Sequence, residues 1–245
     1  MPLRAQIEQR ITADLKGNFR IKETWQVPTV QNLGLGKHGR TIETAILYAD
    51  MRKSSNIAED HRRQTAAKVY KTFLSSMARV ARSVGGEIRS YDGDRIMVVF
   101  PPIRNSPKVA CNKAVRTAMR MAWCLQEIVE PKLRGYDVVD CGIGIAFGRL
   151  LVVRAGIGGQ PHNNDLIWVG RPANLAAQLS EKGGRPEHIW IDEETYNRLD
   201  DSYKYVLPGG APGGSYRQDI WNTRMITFAD QRMRVFSSQY REAFN

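Results

Sequence analysis

The chain is poor in the residues that build disulfide scaffolds and zinc sites. Among 245 residues there are three cysteines and four histidines. Cys111, Cys124 and Cys141 form no Cys-x-x-Cys pair and are odd in number, so they read as reduced structural thiols. His38, His61, His162 and His188 are scattered without ligand spacing. No apolar run approaches the roughly 18 residues that span a bilayer. The opening Met1-Pro2-Leu3-Arg4-Ala5 lacks the apolar core of a secretory signal. The expectation is a cytoplasmic protein with no membrane partner. No Gly-x-Ser-x-Gly elbow, Walker sequence or solenoid-period repeat is present.

Acidic residues are also few. There are 25 against 36 Lys and Arg, for a formal net charge of +11. A basic surface attracts anions, among them nucleotides, nucleic acid and acidic lipid, or it is simply solvated. No basic run is interleaved with aromatics and no zinc-finger spacing occurs, so no DNA partner is expected.

What is present suffices for a core, since 42% of the residues are hydrophobic. Leu3, Ile7, Ile11 and Leu15 recur at intervals of four and predict a helix over residues 3–16. Residues 21–35, with Pro28 and Gly34-x-Gly36, read as an irregular arm. The near-continuous apolar run Thr44 to Ala49 predicts a strand covered on both faces, and it ends on Asp50-Met51-Arg52. Ser54, Ser55 and Asn56 are candidate caps. A helix follows over residues 61–83, with Ala66, Val69, Tyr70, Phe73, Leu74, Met77, Val80 and Ala81 on one face, stopped by Gly85-Gly86. Residues 87–90 and 95–100 predict two strands joined by Tyr91-Asp92-Gly93-Asp94, a strong hairpin signal.

A second long helix is expected over residues 108–129, ended by Pro131. Strands are expected at 138–146, 150–153, 166–169 and 189–191. A helix over 173–181 follows Gly170-Arg171-Pro172. Asp192 is placed to cap a short helix holding Tyr196 and Leu199. Pro208 to Gly214 reads as a loop, residues 217–228 as a terminal strand, and the basic tail as an arm or a helix. The order β-α-β-β-α-β, then β-α-β, predicts an α+β fold. Its first six elements fit a ferredoxin-like sheet with helices on one face. The expected organisation is an N-terminal helix and arm (1–41), a central α+β domain (42–204), and a C-terminal loop, strand and tail packed on that domain (205–245).

The two acids Asp50 and Asp94 follow strand and hairpin signals and are expected to meet at a sheet edge. Like charges held together favour a divalent cation between their oxygens; taken alone, Asp94 also suits a turn. Tyr48 lies on the strand face of Asp50, two residues earlier, where it reaches a ligand or packs in the core. Arg95, directly after Asp94, is a ligand contact or a solvated charge. Ser54 and Ser55 are helix caps or phosphate contacts.

Tyr48-Ala49-Asp50-Met51-Arg52-x-Ser54-Ser55 resembles the first metal motif of class III nucleotidyl cyclases. Gly85-Gly86, Gly93-Asp94 and Phe100 resemble the second. Gly142-Ile143-Gly144-Ile145-x-x-Gly148 is similar to the intervening strand. Gly170-x-x-Ala173-Asn174-x-Ala176-Ala177 is similar to the segment that holds the ribose-positioning asparagine. The resemblance spans residues 42–195. It implies the class III cyclase fold as a homodimer, and two Mn2+ or Mg2+ ions per site held by Asp50, Asp94 and the Met51 carbonyl. It also implies a triphosphate on the backbone from Arg52 to Ser55, and Asn174 serving the site of the second chain.

Three positions depart from the family pattern. Gln178 stands where the family has its transition-state arginine, and a neutral amide stabilises phosphoryl charge less well. Arg171, Arg217 and Arg224 are candidate substitutes. Ser90 and Ile167 stand where adenylyl cyclases hold the lysine and aspartate that read adenine, and the guanylyl pair is absent too. A smaller, less polar base pocket follows. With Tyr48-Ala49-Asp50-Met51-Arg52 and Tyr91-Asp92-Gly93-Asp94-Arg95, this small chain resembles the pyrimidine cyclases of bacterial Pycsar anti-phage systems. That resemblance implies UTP, or alternatively CTP, as substrate, a cyclic nucleotide product, and a separate effector protein that the product activates. A catalytically silent nucleotide-binding relative is the competing expectation.

Overall fold

A computed structural model describes residues 1–104, 106–206 and 217–244. The loop expected over Pro208 to Gly214 lies outside the described residues. In chain order the elements are α1 (Leu3–Leu15), β1 (Arg20–Glu23), β2 (His38–Arg52), α2 (Ser54–Asp60), α3 (Arg63–Ser83), β3 (Glu87–Asp92), β4 (Arg95–Val99) and α4 (Pro107–Cys124). A π-helical turn (Leu125–Val129) leads into α5 (Glu130–Leu133). Then come β5 (Asp140–Ala155), a 3-10 turn (Pro161–Asn163), β6 (Asp165–Val169), α6 (Arg171–Lys182), β7 (Ile189–Asp192) and α7 (Glu193–Arg198). A second 3-10 turn (Asp201–Tyr203), β8 (Tyr205–Val206), β9 (Gln218–Asp219), β10 (Asn222–Phe228) and β11 (Gln231–Ser238) complete the described chain.

One sheet runs in the order β10-β11-β7-β5-β2-β4-β3, with β1 beside β2 and β6 beside β5. The stretch β5-β2-β4-β3, with α3 and α4 as crossovers, is the ferredoxin-like core the sequence predicts. β2 pairs with β5 without interruption from Gly39↔Val153 to Arg52↔Asp140. The apolar run of β2 is continuous because both faces are covered. Ala45, Leu47 and Ala49 face α3 and α4, while Ile42 and Ile46 face α6. All three thiols are buried, and burial pushes those of Cys111, Cys124 and Cys141 up, so they stay protonated and unreactive. No helix among the described residues is long and apolar enough to cross a membrane.

Several expectations are corrected. The irregular arm contains β1, whose four residues are all exposed and so carry no alternation. The two strands expected around Gly148 are one, because Gly148 keeps its pairing to Thr44 at φ 155°. Pro131 does not end the second long helix. The preceding π turn and a short further turn accommodate its missing N–H. The basic tail is neither arm nor helix over residues 231–238. It is β11, paired to β10 on one side and β7 on the other. α1 forms as predicted, but none of its residues is buried.

Asp192 caps α7 by accepting from the Thr195 N–H at 2.9 Å, and it also accepts from Phe147 N–H at 3.3 Å. It is 4% exposed, and burial pushes its carboxyl up to about 6. A carboxyl held above its unfolded value contributes stability that is fully present below about pH 4 and lost as pH rises through about 6. Asp192→Asn keeps an acceptor for both N–H groups and removes the buried charge. The expected result is a gain of about 1–3 kcal/mol at pH 8 that fades toward pH 4. Thermal melts of both proteins across that range check it.

Candidate active site

β2 carries its apolar run to the sheet end and stops on charge. Asp50 stands opposite Arg95 of β4 and Gly142 of β5. Asp94 belongs to the turn joining β3 and β4, one residue before Arg95, with Gly93 at φ 61° supplying the left-handed corner. The register thus puts both acids at one end of the sheet, Asp50 level with Arg95 and Asp94 one position further out, level with Met51. Asp50 is 8% exposed and Asp94 is half-buried.

Two rows lead away from the acids. Across the sheet, Ser90, Met97, Tyr48, Gly144 and Trp190 are successive register partners on β3, β4, β2, β5 and β7. Tyr48 and Ser90 are therefore two strands apart, about 10 Å. Burial raises the Tyr48 hydroxyl above its ordinary value. Along the chain, Lys53 adopts a left-handed conformation at φ 56° and starts α2. Ser54 and Ser55 lie inside its first turn and give it no side-chain cap, so the capping alternative does not hold. Their N–H groups have no intrahelical acceptor.

Arg95 is not a solvated charge. Its Nη2 donates to Asp50 Oδ2 at 3.0 Å and to Glu181 Oε1 at 3.3 Å, and its guanidinium stands 5.9 Å from the Tyr48 ring centroid. The hydrogen bond to Asp50 raises the Arg95 guanidinium further above its ordinary value. Arg52 donates from Nη1 to the Glu181 carbonyl at 2.8 Å, at the carbonyl-rich end of α6. Two arginines thus tie the last turn of α6 to the acidic end of the sheet.

α6 can lie this close because two glycines of β5 face it. A Cβ on Gly144 would come within 2.1 Å of the Ala176 carbonyl, and one on Gly142 within 2.0 Å of the Ser180 carbonyl. Asn174, Gln178 and Glu181, at i, i+4 and i+7, share the outer face of the helix. Asn174 is exposed and sits inside the helix, whose cap position is Gly170, so it does not act as a cap. It stands about two turns, roughly 10 Å, from Glu181. Gln178 donates to the Thr227 carbonyl at 3.1 Å, at the tip of the β10–β11 hairpin. Ile167 is 48% exposed and pairs with Val153 at the far end of β5. Within one chain the backbone register brings Tyr48, Asp50, Met51, Asp94 and Arg95 to one end of the sheet, with Ser54 and Ser55 in the helix that follows. Ser90 lies two strands from Tyr48, and Asn174, Gln178 and Ile167 lie apart.

Of the candidate substitute cations, Arg224 is bound to Glu187 at 2.8 and 3.0 Å, and Arg217 pairs with Asp201. Arg171 packs on Phe228 at 5.8 Å and has no carboxylate partner among the described residues. Sequence reading missed Glu181; its spacing from Asn174 and Gln178 was the available signal.

The donor set is hard: two carboxylates and a backbone carbonyl. Such oxygens fit Mg2+ or Mn2+ rather than a soft metal. No cluster of three or more His, Cys, Asp or Glu that could hold a metal ion occurs among the described residues. The guanidinium on Asp50 shows the same demand for positive charge.

Residues 37–210 match the family described as adenylate and guanylate cyclase catalytic domain. A uridylate cyclase of Burkholderia cepacia is 34% identical over 212 residues, 84% of this chain and 88% of that protein. One from Rhodovulum sp. (strain MB263) is 32% identical over 224 residues, 88% of this chain and 87% of that protein. Among solved structures, the guanylyl cyclase Cya2 superposes with a TM-score of 0.66 at 22% identity, covering 83% of this chain and 95% of that one. The adenylyl cyclase CyaB of P. aeruginosa gives 0.65 at 19%, covering 82% and 95%. With a ferredoxin-like sheet, two acids at its end and a match over most of its length, this chain belongs to the adenylate and guanylate cyclase catalytic domain family.

Proposed function

We propose that the chain converts UTP to 3′,5′-cyclic UMP and diphosphate. The observation that carries this reading is the register that sets Asp50 opposite Arg95, the residue after Asp94, with Tyr48 two residues before Asp50, in a chain whose relatives at 32–34% identity bear the name uridylate cyclase. The ribose 3′ oxygen attacks the α-phosphorus in line. The new O3′–P bond forms as the bond to the bridging oxygen breaks, diphosphate leaves, and the hydroxyl proton passes to solvent.

Asp50, Asp94 and the Met51 carbonyl would hold two Mn2+ or Mg2+ ions. Bound there, the ions make the 3′ hydroxyl more acidic and neutralise phosphate charge. The backbone from Arg52 to Ser55, with the Ser54 and Ser55 N–H groups, receives the triphosphate. Ser90 and Ile167 stand where adenylyl cyclases hold the charged pair that reads adenine, so the base pocket is smaller and less polar; Ile167, apart from Ser90 within one chain, serves the partner's nucleotide with Asn174. Tyr48 and Arg95 border the pocket. Asn174 orients the ribose of the partner's nucleotide, so two sites form at the interface of a homodimer. Its place on α6, about two turns from Glu181, the residue tied to the acidic end of the sheet, supports that assignment.

The chain acts in the cytoplasm, and its product switches on a separate effector in defence against phage. CTP is the alternative substrate, since nothing in the row from Ser90 to Tyr48 separates uracil from cytosine. A silent nucleotide-binding role is favoured by one observation: Gln178 is neutral and occupied by Thr227.

The test is purified protein with Mn2+ and each of four nucleoside triphosphates, with products identified by mass. Cyclic UMP from UTP is expected. Cyclic AMP alone would overturn the pyrimidine assignment, and nucleotide binding without any cyclic product would establish the silent role.

A further inference from the structure

Arg95 occupies one of the two Asp50 oxygens. Its Nη2 lies 3.0 Å from Asp50 Oδ2, and the Asp50 side chain is only 11% exposed. A guanidinium and a divalent cation repel each other when they share one carboxylate, so a cation on Asp50 competes with Arg95 and favours its departure. The place Arg95 leaves for is already engaged. Glu181 Oε1 lies 3.3 Å from the same Nη2, at the end of α6 that Arg52 fastens to the site. Glu181 is 56% exposed and has no other acidic or basic partner among the described residues. Arg95 itself is 25% exposed and borders the Tyr48 ring, so without Glu181 its alternatives are Asp50 or solvent.

We propose that Glu181 is a positioning residue that draws Arg95 off Asp50 when a divalent cation binds and keeps the guanidinium beside Tyr48. The inference rests on the reading of Asp50 as a cation ligand. Glu181 matches none of the acids of the metal motifs and touches neither metal ligand directly. It acts through Arg95 by offering a second carboxylate at almost the same distance. The exchange moves one ion pair from Asp50 to Glu181 and involves no covalent step.

The test is Mn2+ binding to nucleotide-free full-length protein, followed by electron paramagnetic resonance of the free ion. Arg95→Gln removes the competitor and is expected to tighten Mn2+ binding. Glu181→Gln leaves Arg95 to Asp50 alone and is expected to weaken it about 3- to 10-fold. In the Arg95→Gln background, Glu181→Gln is expected to have no further effect. KM for UTP should rise with Glu181→Gln while kcat changes little, because Arg95 is no longer held beside Tyr48. An unchanged Mn2+ affinity in Glu181→Gln would overturn the inference. So would an equal loss in the Arg95→Gln background, which would mean that Glu181 acts only as a nearby negative charge. Asp50→Asn separates this inference from the reading beneath it. Retained Mn2+ binding there removes the metal assignment and the inference with it. Lost binding there, with Glu181→Gln unchanged, removes the inference alone.

Discussion

Asp50→Asn is expected to lower cyclic UMP formation by at least about a thousand-fold while leaving the fold intact. The substitution keeps shape and one acceptor but removes the charge that would hold a divalent cation. Asp50 is buried at the end of β2, and its register partners Arg95 and Gly142 are fixed by backbone pairing, so the amide needs no rearrangement of the sheet. What is lost structurally is the ion pair with Arg95, which still has Glu181. Asp50 is buried and the amide still accepts from Arg95, so the lost charge should cost about 1–3 kcal/mol, a fall of about 3–10 °C in melting temperature. Asp94→Asn should behave alike, since Asp94 sits in a turn whose left-handed corner is supplied by Gly93. Turnover and melting temperature of both variants check this. Turnover within ten-fold of the parent would remove Asp50 and Asp94 from the chemistry.

Gly144→Ala is expected to destabilise the protein by about 3 kcal/mol or more, a fall of roughly 10 °C in melting temperature. The added methyl would lie 2.1 Å from the Ala176 carbonyl, 2.3 Å from the Ser180 nitrogen and 2.8 Å from the Leu179 carbonyl carbon. These are backbone atoms of α6 and cannot turn aside, so the helix must lift from β5. Lifting it loosens the packing of the buried Leu175, Ala176 and Leu179 and carries Asn174, Gln178 and Glu181 out of place. Gly135→Ala is the control. Nothing lies within 4 Å of its added methyl, and its effect should stay within about 0.5 kcal/mol. A melting temperature for Gly144→Ala within 2 °C or so of the parent would show that β5 and α6 are not in this contact.

The parts of the fold written in short-range pattern were legible in the sequence. β2 showed as an apolar run that ends on charge, α3 as a stripe at helical spacing, and the β3–β4 hairpin as Asp-Gly between strands. The acids could be paired from these alone, because a strand end and the neighbouring hairpin turn converge in a ferredoxin-like sheet. The C-terminal hairpin was only half legible. β10 is exposed at its first four residues, and β11 begins with exposed Gln231 and Arg232, so neither shows clear alternation at its start. What places β11 in the sheet is pairing to β7, some forty residues earlier, and no local signal carries that.

The helix α1 was legible from Leu3, Ile7, Ile11 and Leu15, yet the same periodicity says nothing about a packing partner, and none of its residues is buried. The fate of Arg95 was illegible for a related reason. Its carboxylates lie 45 residues before it and 86 after it, and only folding brings them to one guanidinium. Gly142 and Gly144 were visible as a motif, while their purpose, the close approach of a helix, needed the structure.

Anomalous X-ray scattering from crystals grown with Mn2+ and a UTP analogue that cannot cyclise tests most directly whether Asp50 and Asp94 share cations beside a bound triphosphate. Manganese peaks are expected against Asp50, Asp94 and the Met51 carbonyl, with phosphate density at the Arg52–Ser55 backbone. Manganese bound elsewhere, with the two carboxylates empty and Arg95 still on Asp50, would contradict that arrangement.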